Sequence, residues 1–345
     1  MADQKPDEFD RYSRQVRFDP FGKAGQARLA SSSAAIVGCG ALGSMIAERL
    51  ARAGVGRLRL IDRDWVEESN LQRQALYTES DASRSSPKCV AASEHIAAIN
   101  SNVQTETLVE DITFENITEA VGDVDLIVDG TDNFQTRFLI NDLAIQTKTP
   151  WVHGGCLGAS GQVLTILPGE TACFRCLLPE PPPPEAIETC DTAGVLGPAV
   201  GLVACWQAAE AIKILSGNSD AACKGLIILD SWATQSRVVS LSRQTNCPAC
   251  VQHELTHLSG QHHSETTVLC GKNAVQIQSP DFANADHSAI EKRLSSVGEV
   301  VRNPYFLRLK VEDFVITLFA GGRTVVEGTT EVSIAKSLIS RTLGA

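Results

Sequence analysis

The sequence has no excess of positive charge. Its 345 residues include 30 Lys and Arg against 41 Asp and Glu, which gives a formal net charge of -11 at pH 7. Affinity for nucleic acid depends on clustered cations that neutralise the phosphates. We therefore expect no broad nucleic-acid surface, and a site for a phosphorylated ligand has to be basic only locally.

The sequence also lacks the segments that direct a chain into or through a membrane. Its first residues, MADQKPDEFDRYSRQVRF, contain no apolar core of a secretory signal. No later apolar run reaches the length needed to span a bilayer, so we expect a cytoplasmic protein. Disulfides are rare in that compartment. The eleven cysteines are therefore expected to be metal ligands, reactive thiols or small core residues.

Strands and helices alternate through the first half of the chain. SAAIVGCGALGSMIAERLARAG has the pattern of strand, glycine turn and amphipathic helix, and GRLRLIDRD that of the next strand. This alternation predicts an α/β fold with a doubly wound, mostly parallel, Rossmann-like sheet that binds ligands at the carboxyl ends of its strands.

The second half of the chain is less regular. A run of four prolines, Pro181 to Pro184, predicts an exposed connection, and a long apolar helix follows it. We expect a main domain over residues 1–250, a polar linker over 251–265 and a small α+β domain over 266–345.

A glycine-rich turn follows the first strand. Gly38, Gly40 and Gly43 form a GxGxxG, and the next strand ends at Asp62 with Asp64 close behind. The glycines allow close backbone approach to a nucleotide, the helix N-terminus favours phosphates, and the acids suit ribose hydroxyls. By itself the motif indicates NAD first, and glycines that serve only close packing are the alternative.

Polar and cationic residues near this turn favour a triphosphate instead. They are spread over loops and helix starts in otherwise acidic or neutral segments: Arg14, Asn70, Arg73 and Lys88. Nicotinamide chemistry needs no such set, whereas charge on the phosphates and on leaving pyrophosphate has to be neutralised. The alternative for each cation is a solvated surface side chain.

A second polar turn, Asp129-Gly130-Thr131-Asp132-Asn133, follows another apolar strand. Its carboxylates are expected to project from the strand's carboxyl end into the crevice beside the glycine turn, where Asp132 could hold Mg²⁺. The alternative is that Asp132 or Asn133 caps the next helix.

Two CxxC pairs predict a metal centre. Cys173 and Cys176 are separated from Cys247 and Cys250 by about 70 residues, and together they supply the four thiolates of a closed, structural zinc site. The HExxH over 253–257 lies in a short polar linker without a long helix or a third ligand, so we reject a catalytic zinc there.

The remaining histidines and cysteines have less certain roles in the sequence. His253 or His257 competing for the neighbouring zinc is the lesser alternative to the four cysteines. Cys190 follows the proline run and has no CxxC partner, so it is the candidate reactive thiol. Cys205, on the apolar helix, is expected in the core.

The ordered motifs resemble the ThiF/MoeB/HesA family, bacterial relatives of ubiquitin-activating enzymes. They are RYSRQVRF, VGCGALGS, LIDRDWVEESNLQRQ, Pro87-Lys88, DGTDNFQTR, CFRC, ETCDTAGVLGP and CPAC, within residues 9 to 250. The proline run lengthens the loop before Cys190. The module after residue 265 is neither a rhodanese nor an identifiable ubiquitin-fold acceptor, and it resembles an extension of some bacterial members.

This resemblance implies that residues 1–250 form an ATP-binding adenylyltransferase domain with a structural zinc. The glycine turn, Asp62 and Asp64 would hold the nucleotide, and Asp132, with Asn133 beside it, would bind Mg²⁺. Arg14 would reach the ATP of a partner subunit, which implies a homodimer. The implied catalytic residues are Arg14, Arg73, Lys88, Asp132 and Cys190, with Asn70, Arg73 and Lys88 on the phosphates.

The implied reaction is attack by the terminal glycine carboxylate of a ubiquitin-like sulfur carrier, ThiS-like or MoaD-like, on the α-phosphorus of ATP. A desulfurase or rhodanese-type donor then supplies sulfur. Some relatives do without a covalent cysteine step, which leaves the role of Cys190 open. The rival interpretations are an NAD-dependent oxidoreductase, a family branch that acts on tRNA, and a nonenzymatic zinc scaffold.

Overall fold

The computed structural model describes residues 10–183, 190–261, 266–269, 273–278, 282, 287–303, 305–319 and 322–343. The chain forms two compact units. The first comprises Met1–Glu188 and Gly194–Gln261, and the second comprises Thr189–Ala193 and His262–Ala345.

The first unit is built on one sheet of eight strands. They are β1 (Ser33–Val37), β2 (Arg57–Ile61), β3 (Gln104–Leu108), β4 (Leu126–Asp129), β5 (Trp151–Leu157), β6 (Ser160–Ile166), β7 (Leu226–Asp230) and β8 (Gln235–Val239). Their order is β3-β2-β1-β4-β5-β6-β7-β8. The pairings from β3 to β5 are parallel and those from β5 to β8 antiparallel, which confirms the doubly wound, mostly parallel sheet.

Helices cover this sheet. They are α1 (Ser13–Val16), α2 (Gly22–Ser31), α3 (Ala41–Ala53), α4 (Glu79–Ser83), α5 (Lys88–Ile99), α6 (Ile117–Val121), α7 (Phe134–Thr147), α8 (Phe174–Leu177) and α10 (Gly197–Leu215), with short 3₁₀ turns at Asp10–Tyr12, Glu68–Asn70 and Ser219–Ala221. β1 is buried along its whole length. Ala34 and Ile36 pack into the core under α3, α5 and α10, whereas Ala35 and Val37 pack into the core under α6 and α7. A strand covered on both faces is apolar throughout, as its sequence SAAIV is.

The long helix α10 corrects two expectations. Its 19 residues are long and apolar enough to cross a membrane by length and composition alone, contrary to our expectation that no run is, but half of the stretch is buried inside the unit. It packs on α3 and on β4, β5 and β6, and its side chain Glu210 is fully buried. Cys205, expected in the core, is exposed instead, because an apolar helix against one sheet still turns one stripe outward.

The second unit contains a purely antiparallel sheet. Its strands are β9 (Thr266–Leu269), β10 (Ala274–Gln278), β11 (Glu299–Arg302), β12 (Phe306–Val311), β13 (Phe314–Phe319) and β14 (Arg323–Glu327), and its helices are α9 (Cys190–Ala193), α11 (His287–Leu294) and α12 (Val332–Leu343). The strand order is β11-β12-β13-β14-β10-β9. Leu294 of α11 and Leu338 of α12 share one core with the strands. The expected small α+β module is confirmed.

Asp81, in the short helix α4, generates a stability prediction. Its Oδ2 accepts hydrogen bonds from the Thr78 backbone N–H at 2.8 Å and the Thr78 hydroxyl at 2.7 Å and lies 2.8 Å from His95 Nε2. Burial raises the pKa of Asp81, but the bonds from His95 and Thr78 lower it more, to about 2. A carboxyl with a lowered pKa stabilises the fold above its ordinary pKa and loses this effect as the pH falls through the lowered value.

We expect Asp81→Ala to reduce the free energy of unfolding at pH 7 by about 2 kcal/mol, because Thr78 and His95 together lose three hydrogen bonds to a buried carboxylate. Urea denaturation should show this difference narrowing as the pH falls from 3.8 toward about 2. Glu79→Ala, an exposed acid in the same helix, is the control and should change little. An equal, pH-independent effect of both substitutions would contradict the assignment.

Candidate active site

The turn between β1 and α3 is held by the end of β2. The Gly38 N–H donates to Ile61 O at 2.8 Å, and the Cys39 N–H donates to Asp62 Oδ2 at 2.7 Å. Gly38 has a φ of +85°, which favours glycine. A Cβ on Gly43 would lie 1.8 Å from Gly38 O, so the first turn of α3 packs directly on this backbone.

The middle glycine of the turn has different surroundings. A Cβ on Gly40 would meet only Gln74 Nε2, at 3.9 Å. Close packing therefore accounts for glycine at Gly38 and Gly43 but not at Gly40. The space beside Gly40, at the N-terminus of α3, suits a phosphate, because backbone N–H groups and the helix dipole favour an anion there.

Asp62 and Asp64 lie at the carboxyl end of β2. Asp62 is buried, and besides Cys39 it accepts a hydrogen bond from the Asp64 N–H, on Oδ1 at 2.7 Å. Burial raises the pKa of Asp62, and the charge of Lys88 opposes that rise. Each Asp62 oxygen keeps a lone pair for a further donor, so the carboxylate can anchor the turn and still accept a ribose hydroxyl.

Lys88 is the cation that the structure brings to this place. It is the first residue of α5 and is buried, with its Nζ 3.4 Å from Asp64 Oδ2. Burial lowers the pKa of Lys88, but the carboxylates of Asp64, Asp62, Asp132 and Glu67 raise it above its ordinary value. The ammonium therefore stays charged among acids from the segments that follow two strands, β2 and β4.

The turn after the 3₁₀ helix Glu68–Asn70 carries the other predicted phosphate ligands. Asn70 is buried and its backbone O accepts from the Arg73 and Gln74 N–H groups. Arg73 Nη1 donates to Ser69 O at 3.0 Å. Gln74, which sequence reasoning missed, is 3% exposed, its Oε1 has no hydrogen-bond partner, and its amide faces Gly40. The sequence signal that could have identified Gln74 as a site residue is its position directly after the predicted phosphate ligands Asn70 and Arg73.

The two acids of the β4–α7 turn, Asp129 and Asp132, have opposite surroundings. Asp132 is exposed and acts electrostatically on Lys88, as expected of a residue facing the crevice. The Asn133 side chain accepts from the Thr136 N–H at 2.8 Å and caps α7, so the capping alternative holds for Asn133 and not for Asp132. Asp129 does not project into the crevice as predicted, because its carboxylate is fully buried beneath the turn.

Arg14 lies apart from this cluster. It belongs to α1, which packs on α2, and its side chain is exposed. Among the described residues its guanidinium forms no ion pair, so the structure of one chain does not join Arg14 to Lys88.

The two CxxC pairs converge as predicted. Their four Sγ atoms lie within 4.8 Å of one another, with Cys173 3.8 Å from Cys176 and 3.5 Å from Cys247, and Cys176 3.6 Å from Cys250. Tetrahedral thiolates at about 2.3 Å from zinc are roughly 3.8 Å apart. All four cysteines are buried, so the donor set fits a metal such as zinc with no position open to a reacting water.

The neighbouring histidines do not join this cluster in the described part of the chain. His253 is exposed, and His257 stacks on Phe138 with ring centroids 4.8 Å apart. Residues 253–261 form no helix, which agrees with rejecting a catalytic HExxH site. The side chain of Cys190 lies outside the described residues, so its predicted reactivity stays a prediction.

The sequence matches a protein-family model of the ThiF family over residues 12–249, more than half of the chain. The chain belongs to the ThiF family. The resemblance inferred from the ordered motifs is thereby confirmed, and the match contains the glycine turn, the Lys88 cluster and all but the last of the four clustered cysteines.

Two curated relatives of this ThiF-family protein are named adenylyltransferases. It is 42% identical over 339 residues to the sulfur carrier protein ThiS adenylyltransferase of Bacillus subtilis, with 97% of this chain and 99% of the relative covered. It is 39% identical over 249 residues to the sulfur carrier protein adenylyltransferase of Thermus thermophilus, covering 71% of this chain and 91% of the relative. The crystal structure of Escherichia coli MccB is similar in fold, with a TM-score of 0.62 and 21% identity over 72% of this chain and 74% of that one.

We expect Cys173→Ser to lower both bound metal and thermal stability, because a closed thiolate site contributes its binding energy to folding. Elemental analysis of the purified protein and a thermal melt measure the two effects. Cys205→Ser, at an exposed cysteine, should change neither. A Cys173→Ser protein with full metal content and an unchanged melting temperature would count against the site.

The glycine turn gives a second contrast. Gly43→Ala should lower the free energy of unfolding by about 3 kcal/mol or more, because its Cβ would overlap Gly38 O. Gly40→Ala has room for its Cβ and should stay within about 0.5 kcal/mol of the unmodified protein. Chemical denaturation of both variants measures this difference. Equal losses in the free energy of unfolding would contradict the packing described for Gly43.

Proposed function

We propose that this ThiF-family protein uses ATP to adenylate the C-terminal glycine of a ubiquitin-like sulfur carrier. The observation that carries the proposal is the near full-length likeness to a ThiS adenylyltransferase, 42% identical over 97% of this chain. The crevice supports it, because a charged Lys88 and a glycine turn with space beside Gly40 suit a triphosphate.

The surrounding acids support the use of a divalent cation. Four carboxylates act on Lys88, and they would repel a triphosphate unless another cation lay between them. Carboxylate oxygens are ligands that Mg²⁺ accepts, so exposed Asp132 and the nearby Asp64 would hold it against the phosphates. When bound, Mg²⁺ neutralises charge on the phosphates and on the leaving pyrophosphate.

The other site residues bind and orient the nucleotide. In this proposal Gly38, Gly40 and Gly43 with the N-terminus of α3 cradle the phosphates, and Asp62 accepts the ribose hydroxyls. Arg73, Asn70 and Lys88 direct donors at the phosphate oxygens, with Gln74 beside them. Such fixed donors lower the barrier because they need no reorganisation as charge develops.

The chemical step is an in-line displacement. A carboxylate oxygen of the carrier's terminal glycine forms a bond to the α-phosphorus, the bond from that phosphorus to its bridging oxygen breaks, and pyrophosphate leaves. The carboxylate is ionised at neutral pH, so no general base is required. Positioning and electrostatic stabilisation supply the catalysis.

The name of the B. subtilis relative favours a ThiS-like carrier and thiamine biosynthesis over a MoaD-like carrier and molybdopterin. Sulfur from a desulfurase or rhodanese-type donor would then bond to the glycine carbonyl carbon of the adenylate and displace AMP, with Cys190 as the candidate thiol of that step. The metal site would hold a structural Zn²⁺. The domains would be residues 1–250, a linker over 251–265 and residues 266–345.

A homodimer would give Arg14 its role. The exposed guanidinium of Arg14 would reach the nucleotide of the partner subunit, and exposed apolar side chains in the same unit, Phe18, Leu202 and Trp206, would be covered by a second copy. The proposed location is the cytoplasm. The glycine turn with Asp62 also suits NAD, but the charged Lys88 and the relatives named adenylyltransferases favour ATP over an NAD-dependent oxidoreductase, and a sulfur-carrier protein over tRNA.

Carrier-dependent exchange of pyrophosphate into ATP tests the proposal. Arg73→Ala and Asp132→Ala should each reduce the exchange rate about 100-fold or more, since each removes transition-state stabilisation. Arg49→Ala and Asp220→Ala, both exposed, are the matched controls and should keep it. Gly40→Ala should fold normally and bind ATP more weakly.

Absence of exchange in the unmodified protein with both a ThiS-type and a MoaD-type carrier would reject the proposed function. Retention of full exchange in Asp132→Ala would reject the assigned metal ligand alone.

A further inference from the structure

The buried carboxylate of Asp129 has no place in the mechanism above, yet both of its oxygens have polar partners. Its Oδ1 accepts from the Thr131 N–H at 2.8 Å and from the Thr131 hydroxyl at 2.6 Å. Its Oδ2 lies 2.7 Å from His153 Nδ1 and 3.3 Å from Arg137 Nε. All four groups therefore meet directly below the turn that carries Asp132.

Arg137 holds the same turn from the other side. Its Nη2 donates to Thr131 O at 2.6 Å and to Gly154 O at 3.3 Å. Asp129 binds the N–H of Thr131 while Arg137 binds its C=O, so both polar groups of that residue are fixed. The residue that follows is Asp132.

The remaining neighbours of Asp132 are fixed as well. The Gly130 N–H donates to Val37 O at 2.8 Å, and a Cβ on Gly130 would lie 2.2 Å from Gly38 O. On the far side, the Asn133 side chain caps α7 through the Thr136 N–H. The backbone is thus fixed on both sides of Asp132, whose own side chain is exposed to the crevice.

Stability alone does not explain a charged pair in this place. Replacing a buried ion pair by well-packed apolar side chains is often neutral or stabilising, and Asp129 is 0% and Arg137 9% exposed. What apolar residues could not provide is a simultaneous acceptor for the Thr131 N–H and donor for the Thr131 C=O. Asp129 and Arg137 therefore fix the direction of the backbone that leads into Asp132. Between β4 and α7, Asp132 is the one residue that faces Lys88 with a carboxylate.

We propose that Asp129 and Arg137 are positioning residues that orient Asp132 and thereby set the affinity of the site for its divalent cation. The inference rests on the proposed function, in which Asp132 is a ligand of that cation. His153 assists by donating its Nδ1–H to Asp129, which fixes the carboxylate toward Thr131. Residues that orient a metal ligand typically change metal affinity about 10-fold to 100-fold when they are replaced.

Binding of Mn²⁺ in the presence of a nonhydrolysable ATP analogue, followed by electron paramagnetic resonance, measures this affinity without turnover. Asp129→Asn should weaken Mn²⁺ binding about 10-fold or more. Both Asp129 oxygens accept hydrogen bonds, and the NH₂ group of Asn would place a donor opposite the donor of either His153 or Thr131. Arg137→Lys keeps the charge but has a single nitrogen, which cannot lie against Asp129 Oδ2 as Nε does and also donate to Thr131 O as Nη2 does, so it should weaken binding similarly. Binding of the analogue without metal should not change.

Glu210→Gln is the matched control, since it alters a buried carboxylate on α10 that bonds Thr165 and Cys223 and not the turn. It should lower the melting temperature and leave Mn²⁺ affinity unchanged, which separates a structural effect from a positioning effect. His153→Asn, which retains a donor near Nδ1, should restore binding that His153→Leu loses. If Asp129→Asn fails to fold, Arg137→Lys gives the same readout.

Unchanged Mn²⁺ affinity in folded Arg137→Lys and Asp129→Asn proteins would overturn the positioning role. If Asp132→Ala also leaves Mn²⁺ affinity unchanged, the metal-ligand assignment falls together with it. A protein that shows the expected Mn²⁺ effects but no carrier-dependent exchange would uphold this inference while rejecting the proposed function.

Discussion

The contact between two backbone turns is the constraint on which the rest of the active site depends. Gly38, Gly43 and Gly130 approach so closely that a Cβ on Gly43 or Gly130 would overlap Gly38 O. This contact joins the β1–α3 turn to the β4–α7 turn at the centre of the parallel strands, where β1 and β4 pair. Asp62 holds one of these turns and Asp129 the other, so the position of Asp132 relative to the glycine turn depends on this contact.

Burial and charge divide the acids of this region into two kinds. Asp62 and Asp129 are buried and spend their oxygens on backbone N–H groups and, for Asp129, on His153, so they fix geometry. Asp132 remains exposed and Asp64 partly so, and their oxygens are available to a divalent cation, while Asp62 also acts on Lys88 and keeps lone pairs for the ribose. Neighbouring residues of one chemical type thus have different roles, decided by which backbone donors lie within reach.

The sequence was sufficient for the sheet, the glycine turn, the paired CxxC knuckles and the C-terminal α+β unit, because periodicity, glycine spacing and thiolate pairs are local signals. The sequence was insufficient where the direction of a side chain depends on partners that are distant in sequence. Asp129 turns inward because Thr131, Arg137 and His153 meet there, and Cys205 is exposed because only one stripe of α10 faces the sheet. Gln74 was missed since its burial over Gly40 is a tertiary property, and Cys190 stays a prediction.

The four-cysteine cluster imposes an order on synthesis. Cys173 and Cys176 leave the ribosome with half of a tetrahedral set, and the set is complete only when Cys250 has been made. By then β1 to β8 and the long helix α10 all exist. A metal bound by all four thiolates would therefore be captured only after the residues of the sheet have been synthesised, and a chain that ends before the second pair would lack two of the four ligands.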